Sequence, residues 1–136
     1  MGKLFLEVVT PEKVVVSQEV DMVVAPGIEG EFGVLPGHVL FLSGIIPGEM
    51  RYNSDSETIS LVVSTGFAEV SDDRVSILVD AAERGTEVDI ERAQAAAERA
   101  RERLGKGKSA ENVDYSRAEI ALKRAIARIK VAEKFH

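Results

Sequence analysis

The chain has 136 residues, 45% of them hydrophobic, which is enough to build a buried core and argues against disorder. It contains no cysteine, so a disulfide framework and a thiolate metal site are both excluded. No apolar run approaches the roughly 20 residues that a membrane-spanning helix requires, and the first residues lack the pattern of an export signal. We therefore expect a soluble intracellular protein.

The net charge of −6 is divided unevenly along the chain. Residues 1–83 carry four lysines and arginines against fourteen acidic residues, a balance of −10, whereas residues 84–136 carry thirteen against nine, a balance of +4. Such a division indicates two units with different partners. The acidic part argues against nucleic-acid binding, and the basic part suits an acidic protein surface or a phosphate ligand.

The first part of the chain is predicted to be β structure. Short apolar segments alternate with turns, and the densest turn signals lie between Ala25 and Met50, a stretch rich in glycine and Pro-Gly pairs. Glycine permits positive φ and proline presets φ for a turn, so only strands of a few residues fit between them. The predicted strands, complete by Val79, are 3–10, 14–16, 19–25, short segments within 32–46, 50–52, 58–63, 67–70 and 74–79.

The last part of the chain is predicted to be helical. From residue 89 to 104 the apolar residues recur with helical period, and Asp89 suits the N-cap because its carboxylate can accept a hydrogen bond from the first turn. After a glycine-rich link, a second helix is predicted from 114–116 to about 134, with Ser116 and Glu119 as a capping box. Both helices place alanines on one face, which lets two antiparallel helices approach closely.

These elements predict an α+β fold class, with an N-terminal all-β sandwich of about ten short strands followed by a C-terminal antiparallel two-helix hairpin. We place a β-sandwich domain at residues 1–84 and a helical hairpin domain at residues 85–136. Because burial of alanine removes little apolar area from water, the hairpin depends for its stability on what it docks against. A hairpin that is stable only while it is docked can be released, and a conformational switch requires this property.

Four motifs resemble those of the epsilon subunit of bacterial F-type ATP synthases. They are GEFGVLPGH at 30–38, GFAEV at 66–70, VDIERA at 88–93 and ALKRA at 121–125, in the order and spacing of that family. The resemblance covers essentially the whole chain and implies a non-catalytic rotor subunit of a proton-translocating ATP synthase, peripheral at the cytoplasmic face of the bacterial plasma membrane. It implies that the sandwich binds the gamma subunit and the ring of c subunits, and that the protein meets the membrane only through the complex.

The resemblance also implies a regulatory role for the hairpin. The hairpin would move between a compact and an extended state, and the extended state would inhibit ATP hydrolysis. In that state basic residues of the second helix would meet acidic surfaces of the catalytic alpha and beta subunits. These residues are Lys123, Arg124, Arg128, Lys130 and Lys134.

Three residues of the sandwich are candidate partner contacts. Glu29 and Glu31 flank a glycine turn, where most acidic residues are simply solvated, but the resemblance implies that they contact the loops of the c-ring. The resemblance gives His38 a partner-contact role as well. A metal role for His38 is not predicted, because no second histidine, cysteine or carboxylate stands at ligand spacing.

Two arginine stripes follow the same helical spacing of i, i+7 and i+11, one stripe in each helix. An antiparallel pair can bring such stripes onto one phosphate chain, because guanidinium groups bind phosphate bidentately. The alternative interpretation is that the stripes are solvated faces or ion pairs within each helix. The stripes are Arg92, Arg99 and Arg103 in the first helix and Arg117, Arg124 and Arg128 in the second.

The run from Val88 to Ala93 resembles the ATP motif of the family, in which Ile or Leu usually stands at the position of Val88. The resemblance implies that the compact hairpin binds ATP as a regulatory ligand without hydrolysing it, and that no cofactor is required. The implied adenine and ribose contacts are Glu83, Asp89, Arg92 and Ala93, and the implied phosphate contacts are Arg99, Arg117, Arg124 and Arg128. Val88, as part of the motif, completes the implied ATP site.

Two other classes of function stay open on the sequence alone. A free-standing interaction adaptor, whose basic hairpin docks on an acidic protein, also fits the division of charge. An enzyme is disfavoured, because no nucleophile and base stand in a recognisable constellation. The run Gly107-Lys108-Ser109 is not a phosphate-binding loop, because Glu102 stands where that motif needs a glycine.

Overall fold

A computed structural model describes residues 2–37, 40–106 and 115–135 of the chain. The chain divides into two compact units, Met1–Arg84 and Gly85–His136. The first is built of strands and the second of helices, so the predicted α+β class is confirmed. The elements of the first unit are β1 (Leu4–Val9), β2 (Val14–Val20), β3 (Met22–Gly27), β4 (Gly30–Val34), β5 (Phe41–Ile45), β6 (Gly48–Ser54), β7 (Glu57–Val63), β8 (Gly66–Ser71), β9 (Arg74–Val79) and β10 (Ala82–Arg84). The second unit contains a 3-10 turn (Gly85–Glu87), α1 (Ile90–Gly105) and α2 (Tyr115–Ala132).

The ten described strands form one continuous sheet that folds over on itself. Its order is β10-β7-β6-β3-β5-β8-β9-β1-β2, with β4 paired to β3, and β1 runs parallel to β9 while the other pairs are antiparallel. β3 and β5 share a single paired position, Gly27 with Ile45, so the sheet bends there from one layer into the other. On the opposite side Gln18 Nε2 of β2 donates a hydrogen bond of 3.3 Å to Ser54 Oγ of β6.

Alternation along the strands places the core between the two layers. In β1 the buried residues Leu4, Leu6 and Val8 alternate with half-buried ones, and β9 repeats the pattern. This period of two follows from the pleat, which sends successive side chains to opposite faces. Tyr52 of β6 is only 1% exposed, and burial raises the pKa of its phenol.

The strand predicted for residues 19–25 is in fact two strands. β2 ends at Val20 and β3 begins at Met22, so the prediction of one uninterrupted strand is wrong. The chain breaks at Asp21 because this carboxylate joins a polar cluster instead of the strand pattern. The partners of Asp21 are distant in sequence, so the local pattern gave no sign of the break.

This polar cluster consists of Lys3, Asp21 and Asp55. Lys3 Nζ lies 2.6 Å from Asp21 Oδ1 and 3.3 Å from Asp55 Oδ1, and the backbone N–H of Asp55 donates a 3.1 Å hydrogen bond to Asp21 Oδ2. The hydrogen bond between Lys3 and Asp21 raises the pKa of the lysine and lowers the pKa of the carboxyl group. Exposed pairs of this kind add little stability each, but the cluster ties the start of β1 to the β2–β3 and β6–β7 turns.

A tenth strand corrects the prediction that the strands are complete by Val79. β10, residues Ala82–Arg84, pairs antiparallel with β7 and lies at one end of the sheet order. It was missed because its sequence, AER, carries no apolar alternation. A sandwich cut after Val79 would therefore lose one edge strand.

The helical hairpin has the alanine seam that the sequence predicts. Small buried side chains allow the two helix axes to approach closely, and the sequence spacing puts them on one face of each helix. The buried alanines of the predicted faces are Ala93, Ala97 and Ala100 in α1 and Ala118, Ala125 and Ala132 in α2.

The second helix begins within the range 114–116 that the sequence predicts, but the predicted capping box is not formed. α2 already includes Tyr115, so Ser116 lies inside the helix and is not its N-cap. The proposed capping box of Ser116 and Glu119 is therefore wrong. At the other end the helix stops at Ala132, two residues before the predicted Lys134, and a hydrogen-bonded turn follows it.

We predict that Gly66→Ala destabilises the sandwich. A Cβ at Gly66 would overlap the carbonyl oxygen of Leu78 and lie 2.7 Å from the Cα of Val79, so the β8–β9 pair must shift. We expect the free energy of unfolding to fall by about 1–3 kcal/mol, the usual cost of overpacking, in a urea titration. Gly33→Ala is the control, because its Cβ meets nothing closer than 3.9 Å; equal unfolding midpoints for the two variants would contradict the steric explanation.

Candidate functional sites

The first candidate site is the tip of the β3–β4 hairpin, residues 28–31, here named the rim turn. Gly27 pairs with Gly30 at its base, and Gly30 has a φ of +124°, a conformation that favours glycine. This geometry pushes Ile28 and Glu29 outward; the Ile28 side chain is 68% exposed. The rim turn therefore presents one apolar and two acidic side chains to solvent.

The carboxylate of Glu31 is held by an arginine on β6. Arg51 Nη2 lies 3.5 Å from Glu31 Oε1, and Arg51 Nη1 lies 3.3 Å from Glu49 Oε1. Glu31 is more than half exposed, whereas Glu49 is largely covered. The guanidinium group thus bridges two carboxylates and leaves this part of the rim with a net negative charge.

The segment that leads to His38 lies at the other end of the strands. The backbone N–H of Gly37 donates a 2.7 Å hydrogen bond to Oδ1 of Asp73, in the β8–β9 turn. The rim turn lies at the opposite end, since Gly27 pairs with Ile45 and Ile45 pairs with Gly66 at the start of β8. His38 itself lies outside the described residues. The structure thus separates Glu29 and Glu31 from the approach to His38 by the length of β4.

An exposed apolar band crosses the outer face of β5, β8, β9, β1 and β2. Phe67 pairs with Leu78, Leu78 pairs with Val9, and Val9 pairs with Val14, so these side chains form a row across four strands. Five of the band's six side chains are 40–68% exposed. Contiguous apolar surface of this kind marks an interaction site on a folded protein. The band consists of Val9, Val14, Ile28, Leu42, Phe67 and Leu78.

Sequence reasoning missed the apolar band. The signal was present in adjacent apolar pairs such as Ile77-Leu78, because neighbours in a strand point to opposite faces. One member of the pair fills the core and the other is left on the outer face: Ile77 is 1% exposed and Leu78 is 40% exposed. An apolar residue at an outward position needs either a covering layer or a partner.

The arginine stripes are placed differently on the two helices. At 3.6 residues per turn, the α1 stripe lies about 120–160° around the helix from the buried Ala97, on the side away from the seam. The α2 stripe lies about 60–100° from the buried Ala125, on a flank of the seam. Within the hairpin the two stripes therefore do not face each other. Arg92, Arg99, Arg103, Arg117 and Arg124 are exposed, and Arg128 is half-buried.

The remaining candidate ATP residues differ in burial and in the unit to which they belong. Asp89 is the N-cap of α1, as predicted, and its Oδ1 accepts a 3.1 Å hydrogen bond from the backbone N–H of Arg92. Val88 is 2% exposed and Ala93 is fully buried, so their side chains belong to the interior of the second unit. Glu83 lies in β10, in the first unit. Because the side chains of Val88 and Ala93 are buried, they are not available to contact a ligand in this arrangement.

Among residues 2–37, 40–106 and 115–135, no group of three histidines, cysteines or carboxylates is placed to hold a metal ion. No helix in the same ranges is long and apolar enough to span a membrane.

Comparison with protein families identifies the class of protein to which this architecture belongs. Residues 3–85 match the model of the ATP synthase delta/epsilon chain β-sandwich domain, and residues 86–133 match that of its long α-helix domain. The chain therefore belongs to the delta/epsilon chain family of ATP synthases.

Curated relatives narrow this to the epsilon chains. The ATP synthase epsilon chain of Nitratidesulfovibrio vulgaris strain DP4 is 52% identical over 128 residues, which is 94% of each chain. That of Syntrophobacter fumaroxidans is 52% identical over 132 residues, which is 97% of each chain. The resemblance seen in the four sequence motifs is confirmed.

Solved structures show the same fold in assembled ATP synthases. A chain in the OSCP/F1/c-ring assembly of the Euglena gracilis mitochondrial enzyme superposes with a TM-score of 0.82 at 27% identity, covering 100% of this chain and 83% of that one. A chain of the central stalk and c-ring of the Tetrahymena thermophila enzyme superposes with a TM-score of 0.62 at 16% identity, covering 98% and 96%. The second likeness is one of fold alone.

Proposed function

We propose that this chain is a non-catalytic rotor subunit in the central stalk of a proton-translocating F-type ATP synthase. Its sandwich would join the gamma subunit to the c-ring, and its hairpin would restrain ATP hydrolysis. The protein would lie at the cytoplasmic face of the bacterial plasma membrane, held there by the complex. Support comes from family membership and from the chemistry of the two surfaces on the sandwich.

The observation that carries this proposal is that the apolar band and the rim turn adjoin. Ile28 belongs to both, because it follows Gly27 in the rim turn and contacts the Gly44 position of β5 beside Phe67. A subunit that transmits torque has to hold two partners at once, and two adjoining surfaces of unlike chemistry meet that need. An adaptor with one partner has no use for the second surface.

We assign the apolar band to the gamma subunit. A lasting contact within a rotor gains most of its free energy from burial of apolar surface, at about 25 cal/mol per Å². The row of the band from Phe67 to Val14 offers large side chains and no carboxylate, whereas the rim turn offers two carboxylates. The apolar surface therefore suits a permanent partner.

We assign the rim turn to the polar loops of the c-ring. Glu29 and Glu31 are exposed, and Glu31 is fixed by Arg51, so a carboxylate of defined position faces the partner. Charged groups at the edge of an interface fix register and orientation more than they add affinity. This is the property required where the rotor meets the membrane sector.

We predict that Glu31→Lys weakens attachment to the membrane sector. The substitution reverses the charge at the rim turn and places an ammonium group beside Arg51, but it changes the free energy of unfolding by less than about 1 kcal/mol because the pair is exposed. Binding of the assembled F1 sector to stripped membranes should fall, and proton pumping should fall with it. Glu57→Lys, a matched charge reversal at the other end of the strands, should leave both unchanged. Pumping at the wild-type rate in Glu31→Lys membranes would refute this contact.

We assign the inhibitory role to the hairpin because its charge is opposite to that of the sandwich. Residues 85–136 carry twelve lysines and arginines against nine acidic residues, a balance of +3, and the second helix exposes lysines and arginines along one side. Acidic surfaces of the catalytic alpha and beta subunits are the complementary partners in the extended state. The exposed lysines and arginines within α2 are Arg117, Lys123, Arg124 and Lys130.

We predict that truncation after Arg84 raises ATP hydrolysis by the assembled enzyme. All ten described strands are kept, including β10, so the sandwich should fold and assemble. Loss of the inhibitory conformation should increase the rate about fivefold or more, the range of a typical coupling free energy. The measurement is steady-state hydrolysis by purified complexes of equal subunit content, with truncation after Phe135, which removes only His136, as the control. Equal rates with and without the hairpin would exclude the regulatory role.

We further propose that the hairpin binds ATP as a regulatory ligand, without hydrolysis and with no cofactor required. Arg117 and Arg124 are exposed on the same flank of α2 and supply charge for phosphate groups. A ligand that binds the compact hairpin better than the extended one shifts the population toward the compact state. ATP would in this way delay inhibition while the nucleotide is plentiful.

We predict that isothermal titration calorimetry detects ATP binding to the isolated protein. Arg92→Ala and Arg124→Ala should each weaken the affinity about tenfold, because the first removes a contact at the adenine and ribose end and the second removes a charge-assisted hydrogen bond to phosphate. Asp89→Asn retains an acceptor for the N-cap, so it separates loss of a ligand contact from loss of helix stability. No heat of binding at millimolar ATP would end the nucleotide-sensor proposal and leave the rotor proposal intact.

A further inference from the structure

Gly85 is the first residue of the second unit, and two side chains from the end of α2 cover it. A Cβ at this position would lie 2.7 Å from Cγ1 of Val131 and 2.7 Å from Cε2 of Phe135. Gly85 does not have positive φ, so its backbone is open to any residue. Glycine is therefore needed here for space alone, because a methyl group would occupy the volume that Val131 and Phe135 fill.

The end of α2 is built to hold this contact. After the helix, the backbone N–H of Lys134 donates to the carbonyl oxygen of Val131 at 3.1 Å, and that of Phe135 donates to Ala132 at 2.9 Å. These bonds turn the chain tightly and hold the backbone of Phe135 close to the end of the helix. Val131 is 2% exposed and Phe135 is 43% exposed, so the aromatic ring covers the contact from the solvent side.

We infer that Gly85, Val131 and Phe135 form a latch that keeps the hairpin closed. The three residues join the first turn of the second unit to the last turn of its final helix, so the helices cannot separate at this end while the contact holds. The apolar area is small, and a small contact can be made and broken at modest cost. The latch deepens the proposed function, on which its regulatory meaning rests: it sets how much of the hairpin is available to extend.

A distance measurement on the isolated protein tests the latch directly. The chain has no cysteine, so single cysteines at the exposed positions Glu87 and Glu133 can carry a pair of spin labels without further changes. Both positions lie beside the latch, and a closed hairpin keeps them close. Gly85→Ala and Phe135→Ala should each raise the ratio of long to short distances about tenfold, the expected effect of an overpacked or emptied contact.

Gly105→Ala is the matched control. It also adds a methyl group to a glycine of the same unit, but its Cβ meets no atom within 4 Å. The distance distribution of this variant should equal that of the wild type. Phe135→Leu retains an apolar side chain next to the C-terminal end of the helix and should fall between the wild type and Phe135→Ala.

Unchanged distance distributions in Gly85→Ala and Phe135→Ala would overturn the latch. Circular dichroism distinguishes opening of the hairpin from unfolding, because the helix content should be retained in all variants. If Gly85→Ala unfolds, the intermediate distance distribution expected for Phe135→Leu still tests the latch. Assembled complexes separate the latch from the proposed function. If the variants open the hairpin but hydrolysis is not further inhibited, the latch stands and the regulatory role fails.

Discussion

The sandwich depends on the bend at Gly27, where the sheet passes from one layer to the other. A Cβ at this position would lie 2.7 Å from the carbonyl oxygen of Gly30 and 2.8 Å from Cδ1 of Phe32, so the backbone can turn this sharply only without a side chain. Gly27 meets Ile45 across the bend and Gly30 at the base of the rim turn. The absence of a side chain at Gly27 is therefore required by three features: the packing of the two layers, the rim turn, and the end of the apolar band nearest to it.

Much of the architecture could be predicted from local pattern. The glycine and proline signals between Ala25 and Met50 predict short strands and tight turns, and the structure has both. Alanines at helical spacing predict which face of each helix is buried, and Asp89 caps α1 as its residue type suggests. These features depend on neighbours within a few residues, so the sequence contains their physical cause.

The features that could not be predicted depend on contacts between distant segments. Asp21 breaks a strand because of Lys3 and Asp55, and no local property of residues 19–25 reveals those partners. Helical spacing shows that Arg92 and Arg99 share a face, but not that this face points away from α2. The apolar band requires the register of five strands, since only cross-strand pairing brings Val14 and Phe67 into one row.

The cluster around Lys3 also determines where a fused segment would emerge. Because Lys3 is bonded to the β2–β3 and β6–β7 turns, chain ahead of it leaves the sandwich at the end away from the rim turn. β1 has six residues, which separates the two ends by about 20 Å of extended strand. A fluorophore or affinity handle joined to the N-terminus would leave the rim turn unobstructed, whereas an insertion between Glu29 and Gly30 would obstruct it.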